Sequence, residues 1–231
     1  MKNILGIDGS KSGWVGVKQS SKQEGTLEIL FKNKLIDFLS PDIDLIIIDM
    51  PVGLDKNIQQ GGRLVDKEAR KRLLKRKSSI FNAPIRDVLK AKSYNEANTI
   101  SKNKGLGISK QSWNLIPKIN ELDQILQIKI RPQIYESHPE LCFQIMNDGA
   151  LKFSKKEKLG IKERKNILIK NGFDKKFLDN NLKKNKNFHS DDFLDACALS
   201  WTAKRIINEQ NINLPEDPEK DELGIIMQMK V

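Results

Sequence analysis

A single aspartate set inside an apolar helical run constrains this chain more than any other feature. Phe193-Leu194-Asp195-Ala196-Cys197-Ala198-Leu199 reads as a helix apolar nearly all round, and such a helix is buried. An ionised carboxylate there is costly unless a metal ion or a basic partner compensates it. Asp192 lies three residues earlier on the same face, with about 5–6 Å between Cβ atoms, so the two acids can share a cation. Ser190 is the expected N-cap, and the helix dipole favours Asp191 and Asp192 in the first turn in any case. Asp191 points elsewhere. Asp195 is too far along the helix for the dipole to explain it.

Two more acids close apolar strand runs. Ile4-Leu5-Gly6-Ile7 ends at Asp8, and Gly9-Ser10-Lys11-Ser12-Gly13 supplies a tight turn. Trp14 to Val17 and Thr26 to Phe31 complete an antiparallel meander. Asn33 to Leu39 suits one or two turns of helix. Leu45-Ile46-Ile47-Ile48 is a strand covered on both faces, closed by Asp49 and Pro51. A right-handed crossover lays it beside the first strand, parallel to it. Asp8 and Asp49 then share the C-terminal sheet edge, where open α/β sheets keep their sites. One such Asp only caps a turn; two on neighbouring strands, with a buried helix acid nearby, make a cluster.

Arg131 to Glu136 reads as a fifth strand, again ending in an acid. In the Ser137-His138-Pro139-Glu140 that follows, Ser137 and Glu140 have capping-box spacing. His138 is expected to be a structurally satisfied histidine beside a helix start, with a proton shuttle as the sharper alternative. Helices are expected near Pro139–Asn147, Lys156–Lys170 and Asp191–Asn208. Beyond Leu214, Pro215, Pro218 and several acids suggest a loosely packed tail.

The pattern therefore predicts an α/β fold: a five-stranded mixed sheet, an antiparallel meander plus two parallel strands, flanked by helices. One domain spans 1–231, with a mainly helical insertion at about 56–130. That insertion holds a basic stretch from Arg63 to Lys77, then Ser78-Ser79-Ile80-Phe81, then a helix over about Gln111 to Gln127. Arg70 and Lys118 are its candidate substrate contacts, positioned to track a phosphate backbone. A solvated helix face explains most of the other charges, and Trp113 is better read as core.

The net charge of +11 favours a polyanionic partner, although a surface rich in Lys and Asn from AT-rich codons accounts for it equally well. No apolar run approaches membrane-spanning length and no signal-peptide pattern is present, so a cytoplasmic location is expected. Cys142 and Cys197 lack metal-site spacing and suit small buried positions.

Taken in order, Gly6-Ile7-Asp8-Gly9 with Gly13-Trp14, Ile48-Asp49-Met50-Pro51, Glu68-Ala69-Arg70, Ser78-Ser79-Ile80-Phe81, Pro117-Lys118-Ile119, Glu136 with His138-Pro139-Glu140, and Asp191 to Ala196 resemble the domain-of-unknown-function family 429. Its members are described as predicted RNase H-like nucleases. The resemblance runs from about Gly6 to Trp201 and implies an RNase H-like core with an acidic site at Asp8, Asp49, Asp192 and Asp195. The last helix is also similar to that of Holliday-junction resolvases, which carries a like pair of metal ligands.

Hard carboxylate oxygens suit Mg²⁺ or Mn²⁺. Two such ions about 3.5–4 Å apart would activate a water and stabilise the leaving oxygen. The expected function is metal-dependent phosphodiester hydrolysis of nucleic acid, DNA or RNA. Asp8 and Asp195 would bind the metal, Asp49 and Asp192 complete its shell, and Glu136 orient the water. Two alternatives stay open: phosphoryl transfer of the actin-like ATPase type, using Asp8 to Gly13 as a phosphate loop, and non-catalytic nucleic-acid binding.

Overall fold

Residues 2–20, 26–128, 132–183 and 185–231 are described by the computed structural model. The meander forms as its alternation dictates. β1 (Asn3–Ser10) and β2 (Gly13–Ser20) pair antiparallel, and β3 (Glu28–Lys32) pairs antiparallel with β2. A 3-10 turn at Leu35–Phe38 leads into β4 (Leu45–Ile48), which lies parallel to β1 with Ile7 beside Ile48. β5 (Gln133–Glu136) continues the parallel set, with Glu136 beside Ile48. Arg131, where this strand was expected to begin, lies outside the described residues.

The sheet has seven strands rather than five. β6 (Asn213–Lys220) and β7 (Ile226–Lys230) extend it in the order β3-β2-β1-β4-β5-β7-β6. The tail expected to be loose is thus an ordered hairpin. Met227, Met229 and Val231 alternate into the core at 3%, 2% and 0% exposure, the period-two signature of a half-buried strand. Pro215 and Pro218 obscured this in the sequence. They fit because β6 is the sheet's edge, where a missing N–H breaks no ladder.

The helices are α1 (Leu64–Arg72), α2 (Tyr94–Asn103), α3 (Lys110–Leu126), α4 (Pro139–Met146), α5 (Lys158–Lys170), α6 (Lys175–Asn181) and α7 (Ser190–Ile207). The pattern from Lys175 to Asn181 had not suggested a helix. Two core layers sandwich the parallel strands. Ile4, Leu45 and Ile47 pack with α7, α4 and α5 on one face. Leu5, Ile7, Ile46 and Ile48 pack with Ile119 and Leu122 of α3 on the other. The insertion adds its own small cluster of Ile85, Val88, Ala97, Ile108 and Ile116. Among the described residues no helix is long and apolar enough to cross a membrane.

α7 lies directly on β1 because position 6 is glycine. A Cβ there would overlap the backbone N of Ser200 and the carbonyl O of Ala196. Helix backbone and strand backbone meet with no side chain between them.

Candidate active site

Pleating decides which acids can meet. Side chains alternate across a strand, so Asp8 shares the face of Ile4 and Gly6, and Asp49 follows the parity of Leu45 and Ile47. Both therefore lie on the α7 side of the sheet. Asp8 is 7% exposed and Asp195 1%, while Asp49 and Asp192 are half-buried. Asp195, Asp49 and Asp192 all lie within electrostatic reach of Asp8.

Their ionisation records that closeness. Burial pushes the Asp8 carboxyl well above its usual range, and the charges of Asp195 and Asp49 push it further. Burial likewise raises Asp195 to about 6, with Lys155 opposing the rise and Asp49 adding to it. Asp192 is raised by burial, although the His189 N–H donates to it and opposes the rise.

Asp192 has a second duty. α7 is capped at His189 rather than at Ser190, and the Asp192 carboxylate accepts the His189 N–H at 2.9 Å. Asp191 points away, as expected, and pairs with Lys156 at 2.6 Å.

Sequence reasoning missed Lys155. Its Nζ donates to Oδ2 of Asp195 at 2.5 Å. Burial works against its charge, yet Asp195 and Asp8 hold it protonated far above the ordinary lysine range. One lysine among 41 basic residues carries no signal of this in the sequence.

Glu136 lines the same cavity as Asp8 and Asp49, but other partners hold it. It shares the parity of Ile134 and the rung of Ile48, both of the opposite layer, so it faces the other side of the sheet. Its Oε1 accepts from Arg63 at 2.8 Å and its Oε2 from the Val52 N–H at 2.8 Å. Arg63 also pairs with Asp66 at 2.7 Å, which completes a buried three-residue ion network. Both carboxylate oxygens are thus engaged by protein donors, which ties Glu136 into the frame of the site.

Arg70 is committed too. Its guanidinium donates to the carbonyls of Gly61 and Ile80 and to Asn82, fixing the turn that carries Phe81. Those bonds brace the loop, and Arg70 is not among the residues that line the cavity over the acids. Lys118 does reach the site: its Nζ donates to the Gly13 carbonyl at 2.6 Å and lies 4.3 Å from the centre of the Trp14 ring. Burial lowers its ammonium, while Glu121, Asp8 and Asp192 support the charge.

His138 is satisfied, as expected. Its Nδ1 accepts the Glu140 N–H at 3.2 Å, and its Nε2 lies 3.1 Å from Ser79 Oγ. The Ser137–Glu140 capping box does not form: His138 caps α4, and Glu140 pairs instead with Arg164 and Arg76. Trp113 packs edge-on against Tyr94. Both cysteines are buried and free.

A cavity of about 390 Å³ opens over the cluster. Asp8, Asp49, Glu136 and Lys155 line it, with Ile80, Phe81, Leu115 and Lys118 of the insertion. Asp195 lies outside that lining, in contact with Lys155.

The donor set suits a hard divalent cation. All four ligand candidates are carboxylates, and Oδ1 of Asp195 is buried with no hydrogen-bond partner. A buried carboxylate oxygen left unpaired costs stability and calls for a cation. Among the described residues no three acidic, His or Cys side chains already converge on one point as a finished metal site. Lys155 is the cation that the cluster holds.

A mixed α/β sheet whose C-terminal edge gathers strand acids beneath a buried helix acid defines the class: an α/β protein with a carboxylate site at the sheet edge. Within it, the chain belongs to the family described as protein of unknown function (DUF429), whose model matches residues 6–220. Neither curated proteins nor solved structures give a match.

Proposed function

We propose that this chain is an RNase H-like nuclease that hydrolyses phosphodiester bonds with a divalent cation, Mg²⁺ or Mn²⁺, held by Asp8, Asp49, Asp192 and Asp195. The observation that carries this reading is the meeting of acids separated by nearly the whole chain, two of them on parallel strand ends and one deep in α7. Mutual repulsion on that scale is costly to folding, and an ion is its usual compensation. When bound, such an ion polarises the phosphate and lowers the pKa of an attacking water.

The chain's own residues account for the rest. Asp8 and Asp49 line the cavity and would meet the phosphate-bound ion from the sheet side, and Asp195 from the helix side. Lys118 faces them from α3 and contributes positive charge toward a phosphodiester. The net charge of +11 supports a polyanionic substrate.

The test is cleavage of labelled single-stranded and duplex DNA and RNA in Mn²⁺. Asp8→Asn should reduce cleavage at least about 100-fold, as expected when a term that acts on the transition state is lost, while the circular dichroism spectrum stays unchanged. Undiminished cleavage by Asp8→Asn, or no cleavage of any of these substrates by the wild-type chain, would end the proposal.

A further inference from the structure

Lys155 is held too firmly to be an incidental surface lysine. The loop that carries it is pinned from both sides. Arg76 donates to the carbonyls of Leu151 and Phe153, and the Glu163 carboxylate accepts the N–H groups of Lys152 and Phe153 at 2.9 and 3.0 Å. Beyond it, Ser154 caps the turn into α5, its carbonyl accepting the Glu157 N–H at 3.0 Å. Gly160 lets that carbonyl approach the helix closely, since a Cβ there would overlap it. Lys155 is therefore delivered to the acids by fixed backbone.

Its contact divides Asp195 in two. Oδ2 is taken by the ammonium, and Oδ1 is left buried without a partner.

We infer that Lys155 is a resident cation occupying one of the two positions that paired divalent ions would otherwise fill, so that the site takes a single divalent ion, bound at the free oxygen of Asp195. This rests on the metal-site reading above. Lys155 acts on the bound ion through Asp195 and is a positioning residue.

The experiment counts Mn²⁺ on the full chain by titration calorimetry and electron spin resonance, with melting curves in chelator and in Mn²⁺. The wild-type chain should bind one ion. Lys155→Met should melt lower in chelator, recover in Mn²⁺, and bind a second ion, with the first held at least tenfold tighter. Lys155→Arg keeps the charge and should stay at one. Two tightly bound ions on the wild-type chain would overturn the inference without any variant, which covers the case in which Lys155→Met fails to fold. One ion on both wild type and Lys155→Met, at equal affinity, would overturn it while leaving the metal site standing. No ion on any of the three chains would remove the metal-site reading as well.

Discussion

Replacing Asp195 with Asn should stabilise the metal-free protein, and by an amount that depends on pH. Burial pushes the Asp195 carboxyl up to about 6 in the folded chain, against about 4 for an unperturbed aspartate. The folded state therefore holds the proton more tightly than the unfolded state does. Below about pH 4 both states are protonated and the site costs nothing. From about pH 4 to 6 folding loses stability as pH rises, and above about pH 6 the loss is complete. A gap of about two pH units at about 1.4 kcal/mol each makes that loss about 3 kcal/mol. Asn removes the charge at nearly constant shape and relieves Asp8 of its strongest repulsive neighbour. Lys155 loses its partner but is one-third exposed, so its head can turn to water. The net gain should be about 2 to 3 kcal/mol at about pH 8, or about 4–12 °C in melting temperature for a chain of this size. It should vanish near pH 4. The assay is thermal and urea unfolding of both chains in chelator across that range. An Asp195→Asn chain that is less stable than wild type at high pH, or a gap that does not change with pH, would refute the electrostatic account. The same variant should lose most of any stabilisation that Mn²⁺ gives the wild-type chain.

Two further outcomes test the frame around the site. Gly6→Ala should cost about 3 kcal/mol or more, because its Cβ meets helix backbone that no rotamer change can move; urea unfolding measures it, and a neutral effect would mean that α7 does not seat on β1 as described. Arg63→Met should cost about 3–5 kcal/mol by leaving Asp66 and Glu136 buried and unpaired; adding Glu136→Gln to it should recover part of that loss, and no recovery would argue against the network.

The inner half of the fold was legible because its signals are local. Branched aliphatic runs closed by Asp8 and Asp49 gave both the strands and their shared edge, and the apolar surroundings of Asp195 announced burial. The hairpin of β6 and β7 was hidden by its two prolines, whose tolerance depends on edge position, a property of the whole sheet. The buried partners of Glu136 were hidden for a similar reason. Which side of the sheet it faces depends on its register with β4, and one strand alone does not contain that. Lys155 comes from a loop whose position is set by Arg76 and Glu163, residues distant from the acids in sequence and unrelated to them in pattern.

The bare contact at Gly6 also sets a tolerance. Asp8 follows it by two residues along the strand, and Asp195 adjoins Ala196 at the point where the helix touches. The span between those two carboxylates is thus gauged by main chain against main chain, not by the bulk of interchangeable side chains. A single methyl group added at position 6 would therefore move the two carboxylates apart, since it would wedge helix backbone from strand backbone.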